Sequence, residues 1–582
     1  MNFKYDLLKN QVVFANVLSS ILENRGIENI ADFLNPTERF VENTNLYDNS
    51  DKWVEGFIYS VTKLEKFGIV FDSDCDGYTS GSMLYQYAKR LNPNVDIKMY
   101  VHKGKAHGLE DVKDDIISDG IESVFIPDAS SSDYEYHEEL FKLGIRVYIS
   151  DHHEADKGYS KHAVVVNNQL SKNVTDKALT GVGVTYKLLK EVDCTMGVSY
   201  ADDYLELVTL GTIGDVADLK NLEARYYVMQ GLRQINEKRF VNKFIKHTVE
   251  KRAFSLGDSV TITGVAFFIC PLINAMCRFG DYEENLTLVK ALCNIEERCV
   301  DKIKGKGEVE MSLQEYAFRV CEKVKRRQDS AKKKGSAILE EQIAEYNMDK
   351  MQVMILNGTN IIDKSLSGLV ATEIAKKYHR PCIVVKENDK KNFYGGSGRG
   401  YDNHDIRDFR QWCKSTGLFS LCEGHDNAFG VGIAKYNINK LYSYISTLPL
   451  SSELTYHVDG VFEDNMINSS IVMNVGQFDY IWGNRIDEPI FALKISSIPT
   501  ASIGLQGKTG NTLKFNYNGI DFIQFNIDKD KYKDLISNEY VRMEVICKFK
   551  VNRYAGNIRP QIEIVDYKFE QISGEINPFL FM

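Results

Sequence analysis

Residues 67–77 read FGIVFDSDCDG, a short apolar run that ends abruptly in aspartates at positions 72, 74 and 76. The ending recurs twice: SVFIP closes on Asp128, and RVYIS closes on Asp151-His152-His153. Runs this short, rich in β-branched and aromatic residues, read as strands buried on both faces of a parallel sheet. Open α/β sheets place their ligands beyond the carboxyl ends of the strands, so three neighbouring strands would bring Asp72, Asp74, Asp128, Asp151 and His152 together. Carboxylates in that number repel one another until protons or cations neutralise them. Hard oxygen donors with a single imidazole suit Mg²⁺ or Mn²⁺ better than a structural zinc.

Working outward, strand-like runs (GIVF, DIKMYV, SVFIP, RVYIS, AVVVNN) alternate with amphipathic stretches such as SGSMLYQYAKRL up to about residue 240. That alternation predicts a doubly wound α/β domain over 51–240, preceded by a helically patterned lead-in, 1–50. Residues 241–347 carry long charged amphipathic segments and read as a helical connector. QVMILNG and PCIVV open a second α/β unit over 348–450. Beyond it, 451–582 changes to short alternating runs (LKFNYNG, FIQFNI, VRMEVICKFKV, IRPQIEIVDYKF) between Gly, Asn and Asp turns, which predicts a small β-barrel of the OB kind.

The 582 residues exceed one core and suggest three or four domains, with an ordinary globular composition of 43% hydrophobic and 26% charged residues. A net charge of −10 argues against indiscriminate binding to polyanions but leaves room for a local basic channel. Basic clusters lie at 323–334, KVKRRQDSAKKK, and at Lys376, Lys377, His379 and Arg380; alone, each reads as a solvated helix face. The longest apolar stretch, GVAFFICPLINAMC, is too short for a bilayer and contains Pro271, so no membrane segment is expected. The N-terminal MNFKYDLLKN lacks the blocks of a signal peptide, and a cytoplasmic protein is expected. Eleven cysteines without a CxxC pair fit reduced thiols packed as small hydrophobes.

In an extended chain Asp72 and Asp74 point the same way and can grip metal together, whereas Asp76 lies where Gly77 signals a turn. DSDCDG also opens like a calcium-binding EF-hand loop. That reading fails because its twelfth position is Met83 rather than Glu, and a strand precedes it where a helix should. Asp128 alone reads equally as a turn residue. Asp151-His152-His153 offers a ligand, its orienting neighbour and a cation for a phosphate in one step of chain. LELVTLGTIGDVADL supplies Asp215 or Asp218 at a helix-to-loop junction, and spacing leaves the choice between them open.

DSDCDGYTS, PDAS, SDHHE and LGTIGDVADL, in this order, resemble the four motifs of the DHH phosphoesterase superfamily. TGVGVTYKLL and PLINAMCR are similar to elements of its RecJ single-strand exonuclease branch. SLSGLVATEIAKKYHRPCIVV, GGSGRG and EGHDNAFG resemble the DHH-associated domain, and YIWGNRIDEPIF with the β-rich tail resembles the OB domain that follows in RecJ. The resemblance implies that Asp72, Asp74, Asp128, His152 and Asp215 bind two Mn²⁺ or Mg²⁺ ions, with Asp128 as the bridge. It implies that Asp151 is a ligand or orients His152, that His153 contacts the scissile phosphate, and that Asp76 supports them. Asn274, Arg278, Ser397, Arg399 and His425 would hold substrate; Gly-flanked loops admit an anion, and Arg binds phosphate in a fork.

The implied activity is two-metal hydrolysis of single-stranded DNA from the 5′ end to 5′-mononucleotides, in repair and recombination. A cleft between the two α/β units would admit one strand and exclude a duplex. The OB tail would grip the more distant strand, with Trp482, Phe515, Tyr517 and Lys514 as candidates beside a core role. The implied form is a monomer with no membrane partner, working beside a single-strand-binding protein or a helicase. The alternatives are a phosphatase, pyrophosphatase or oligoribonuclease of the same superfamily, and a non-catalytic single-strand-binding scaffold. Three positions depart from the family pattern: DAS where glycine usually follows the acid by two, EGH for GGH, and Gly400 where Ser is common.

Overall fold

A computed structural model describes residues 2–572 apart from 105, 156, 389–391, 450–452, 508–509 and 555–556. The expected boundary at 450 and 451 and the last ten positions, 573–582, lie outside the described residues. The chain divides into two compact units. One comprises Ile27–Arg326 with Tyr480–Asp487, and the other Met1–Gly26, Arg327–Asp479 and Glu488–Met582.

The first unit is built on a five-stranded sheet in the order Asp96–Val101, Lys66–Phe71, Ser123–Pro127, Arg146–Asp151, Val164–Asn167, every pair parallel. On one face Val70, Val124, Ile126, Val147, Ile149 and Val165 pack with Leu109, Val112, Ile116 and Leu140. On the other, Phe67, Phe125 and Tyr148 meet Trp53 and Phe57 of the helix Ser50–Thr62, with ring centroids 4.8–5.6 Å apart. Burial on both faces is why these strands read as continuous apolar runs. Truncating Phe125 to Ala in that cluster costs about 3–5 kcal/mol. Because all five strands run one way, their carboxyl ends share one edge. The helix Leu205–Gly214 is buried from Glu206 to Ile213, which is why it shows no amphipathic stripe.

The apolar run in this unit is longer than the sequence suggests, although the expectation of no membrane segment is not overturned. Ile262–Gly264, a π turn at Val265–Ile269 and Cys270–Phe279 join into a run of 18 residues, long and apolar enough by length and composition to cross a membrane. Pro271 does not interrupt it, because it stands directly after the π turn, where the ordinary i→i−4 ladder is already broken. Ile262, Val265, Ile269, Leu272, Ile273 and Met276 are buried within the unit, as in a core helix.

In the second unit, Met354–Asn357 lies parallel to Cys382–Asn388, and Phe393–Arg399, Ala428–Ala434 and Phe419–His425 follow antiparallel. A seven-stranded sheet from Gly460–Glu463 to Asn557–Ile572 forms the OB region. The lead-in opens with a strand rather than a helix: Asn2–Leu7 alternates polar and apolar residues and pairs in parallel with Glu453–Val458. The segment expected to be helical contains a hairpin, Arg298–Ile303 with Gly307–Ser312, before the long helix Leu313–Glu345. Phe515 is buried and stacked on Phe522 at 4.7 Å, and Trp482, which belongs to the first unit, is buried there, so neither offers a face to a base. Tyr517 donates to Asp464 at 3.0 Å, and Lys514 pairs with Asp521 at 2.9 Å.

Candidate metal centre

Asp72 follows the strand Lys66–Phe71 directly. The chain then turns rather than staying extended, because Asp74 is the N-cap of the helix Cys75–Leu91 and accepts the Gly77 N–H at 2.9 Å. Asp76 therefore sits in the first helical turn. Its Oδ1 accepts from Thr180 Oγ1 and the Val182 N–H, both at 3.1 Å, while its buried Oδ2 has no hydrogen-bond partner.

Asp128 takes a left-handed backbone, φ 69°, one residue beyond its strand, with its N–H on Ser150 O at 2.8 Å. Strain of that kind gathers at functional sites. Ser130, standing where the family usually has glycine, holds φ 76° and donates to Asp133 at 2.7 Å, which accounts for that departure. Gly181 presses on Asp128 so closely that a Cβ there would lie 2.4 Å from the Asp128 Cβ. Both carboxylate oxygens of Asp128 are buried without a partner.

Asp151 is saturated by donors. Its Oδ1 accepts the His152 N–H at 2.7 Å and lies 2.8 Å from His153 Nδ1, and its Oδ2 accepts the Ser131 N–H at 3.1 Å. It thus orients the imidazole of His153 rather than that of His152. His152 Nε2 lies 3.2 Å from Asp128, 3.8 Å from Asp215 and 4.0 Å from Asp76. Asp215 is the C-cap residue of Leu205–Gly214, whereas Asp218 accepts the Lys220 N–H at 3.0 Å in a turn. Three groups result, each with potential ligand atoms within 4.8 Å of one another: Asp72, Asp74 and Asp128; Asp128, Asp151, His152 and His153; and Asp76, His152 and Asp215. Asp128 and His152 link them.

The electrostatics follow from burial and crowding. Burial, then the charges of Asp76, Asp74 and Asp72, push Asp128 well above the usual carboxylate range. Burial and Asp74 raise Asp76 to about 7, and burial with Asp76 and Asp74 raises Asp215 to about 8, against the pull of His153 and Arg485. Burial, helped by the charge of His153, lowers His152 to about 4 and keeps it a neutral donor. The hydrogen bond that His153 donates to Asp151 raises His153 to about 9 despite burial. Burial alone would raise Asp151, but its bond to His153 wins and holds it below the ordinary range. Orphaned atoms on Asp76, Asp128 and His152, in a set of oxygens with one neutral imidazole, fit hard divalent cations.

Asn274 and Arg278 lie four residues apart on one face of Cys270–Phe279, which packs against the Asp74-capped helix. Ser397, Arg399 and His425 belong to the other unit. There Arg399 and His425 both pair with Ala428, and Ser397 and Glu423 both pair with Gly430, so all four share one sheet face. Ser397 Oγ lies 3.0 Å from Ser367 Oγ at the start of Ser367–Tyr378.

The sequence reading missed two histidines. His107 Nδ1 lies 2.7 Å from Asp72 Oδ2, and buried His102, bonded through Nδ1 to Asp111, turns an unpartnered Nε2 towards Asp72 Oδ1 at 3.8 Å. Their signal was available: HKGKAHG follows DIKMYV, a strand of the same sheet ending on the same edge.

Residues 66–212 match the DHH family, N-terminal domain, and 458–566 match the RecJ OB domain. The SPbeta-prophage-derived protein of Bacillus subtilis (strain 168) named single-strand DNA-specific exonuclease YorK is 33% identical over 99% of this chain and 100% of its own. The chain belongs to the RecJ-like branch of the DHH family. The single-stranded-DNA-specific exonuclease RecJ of Haemophilus influenzae is 25% identical over 96% of this chain and 97% of its own. The crystal structure of Thermus thermophilus RecJ in complex with Mn²⁺ shares the fold, with a TM-score of 0.71 at 18% identity over 99% of this chain and 81% of that one. RecJ-like architecture thus runs through both units.

Proposed function

We propose that this chain is a metal-dependent exonuclease of single-stranded DNA that releases 5′-mononucleotides from the 5′ end. The observation that carries the reading is the convergence of Asp72, Asp74, Asp76, Asp128, Asp215 and His152 with buried oxygens and a ring nitrogen left without protein partners. Two Mn²⁺ or Mg²⁺ ions, held by these residues with Asp128 shared, would supply an activated water and stabilise the charge that develops on phosphorus. Within that frame Asp151 locks the His153 imidazole through Nδ1, and His153, cationic at neutral pH, faces a non-bridging oxygen of the scissile phosphate. Asn274 and Arg278 hold the strand near the centre. Ser397, Arg399 and His425 bind phosphates from the associated sheet, where Glu423 on the same face moderates their affinity. Eleven free cysteines suit a reducing compartment, and we assign the protein to the cytoplasm.

The test is incubation with Mn²⁺ and a single-stranded oligonucleotide labelled at either end, beside a duplex, pyrophosphate and a dinucleotide. Loss of the 5′ label first, with the duplex and small substrates spared, supports the reading. Preferential cleavage of pyrophosphate or the dinucleotide transfers the chain to a small-substrate activity and ends it.

A further inference from the structure

The strip Tyr480–Asp487 is remote in sequence from the acids yet belongs to the same compact unit. Asn484 Nδ2 donates to the carbonyls of Thr212 and Ile213 at 3.2 and 3.4 Å, capping the helix whose C-cap residue is Asp215. Leu219 N–H donates to Asn484 O at 3.3 Å, and Thr263 Oγ1 to Trp482 O at 3.2 Å. Ile481, Trp482 and Ile486 are buried. Gly483 and Ile486 exchange both backbone hydrogen bonds, at 2.9 and 3.1 Å, across Asn484 and Arg485, which have φ of 46° and 69°. Two central residues of positive φ closing such a pair make a type I′ turn, whose preferred sequence is Asn-Gly.

Asparagine occupies the first central place, as expected, but arginine occupies the second, where glycine fits without strain. A long cationic side chain at a glycine position calls for a reason outside the turn. Arg485 is exposed, makes no hydrogen bond or ion pair among the described residues, and directly follows Asn484, whose side chain is bonded to the carbonyls two and three residues before Asp215. A guanidinium held beside a site for two divalent cations is repelled by them unless an anion lies between. The anion that fits is a phosphate oxygen, which a guanidinium binds in a fork.

We propose that Arg485, carried on this anchored turn, is a substrate-binding residue that grips a backbone phosphate of the single strand on the Asp215 side of the centre. The proposal rests on the nuclease reading above, and the wild-type protein tests that reading separately. The variants are Arg485→Gly and Arg485→Lys in the full chain, examined by thermal unfolding with and without Mn²⁺ and by steady-state hydrolysis of an oligonucleotide across a salt series. Arg485→Gly should unfold at or above the wild-type temperature, since glycine relieves the turn, and should keep its Mn²⁺-induced rise. Its KM should increase tenfold or more, and the slope of log(kcat/KM) against log salt should become shallower by about 0.7, the release expected for one single-strand phosphate contact. Arg485→Lys should fall between. Wild-type KM and salt slope in Arg485→Gly would overturn the proposal, and so would a fall in its unfolding temperature, which would make Arg485 a structural residue. A wild-type protein inert towards single strands would instead count against the nuclease reading.

Discussion

Replacing Asp128 by asparagine should move stability and catalysis in opposite directions. The ligand atoms of Asp72, Asp74 and Asp128 lie within 4.8 Å of one another. At an effective dielectric constant near 20, two unit charges that close repel by about 3.5 kcal/mol, and asparagine removes two such pairs. Proton uptake by the wild-type cluster relieves much of this, so the gain to the metal-free protein is about 1–3 kcal/mol, or several degrees in Tm for a unit of this size. Asparagine also tolerates the φ of 69° at this position. With Mn²⁺ at a hundred times its Kd, the wild type should gain about 2.7 kcal/mol, and Asp128→Asn should lose most of that gain together with hydrolysis. Thermal unfolding in EDTA and across a Mn²⁺ series, alongside oligonucleotide turnover, reads all three quantities. A variant less stable than wild type in EDTA that still gains as much from Mn²⁺ would refute the placement of Asp128 between two cation sites.

Gly181→Ala, whose Cβ would lie 2.4 Å from the Asp128 Cβ, should leave the circular dichroism spectrum unchanged while abolishing the Mn²⁺-induced rise in Tm; an unaltered rise counts against the packing described. His153→Gln should lower kcat by about 10²–10³ with Mn²⁺ stabilisation intact, and normal turnover would remove the imidazolium from the chemistry. Arg399→Lys should raise KM nearly as much as Arg399→Ala, because a point charge cannot replace a fork; full rescue by lysine argues against phosphate gripping there. Glu206, far from this chemistry, tests the electrostatics alone. Burial raises it from 4.5 to about 8, although Val241 and Asn242 donate to it. The fold holds the proton longer than the unfolded chain does, so wild-type stability should fall as pH rises from about 4.5 to 8, by a few kcal/mol at about 1.4 per unit. Glu206→Gln should flatten that loss in urea titrations from pH 5 to 9 and match wild type at the acid end.

The parallel sheet was legible because its strands announce themselves twice, as β-branched runs and as runs that stop on acids. Asp128, Asp151 and His152 were found by that punctuation alone. The helix over Leu205–Gly214 was harder, since a segment buried all round carries no stripe, and its Asp215 was separable from Asp218 only by geometry. The local geometry of DSDCDG was misjudged: the helix begins at Cys75, so Asp74 caps it and Asp76 turns inward instead of standing aside. His102 and His107 escaped because their loop ends its strand without an acid. The membrane-length run escaped because a π turn lets the helix continue through Gly264 and Pro271, residues that normally break one. Arg485 left no trace in the sequence, because a turn specified by pairing across Gly483 and Ile486 has meaning only once the helix it caps is in place.

The unit that holds the acids is stitched from two distant stretches of chain, and translation delivers them far apart in time. A ribosome that has just emitted Arg326 has made all the carboxylates and both adjacent imidazoles, yet the seats for Ile481, Trp482 and Ile486 stand open beside Asp215. They are filled only after residues 327–479 have left the exit tunnel. Premature termination in that interval yields a chain with every acid present and an open seam next to them, so this hydrolase is completed from its far end.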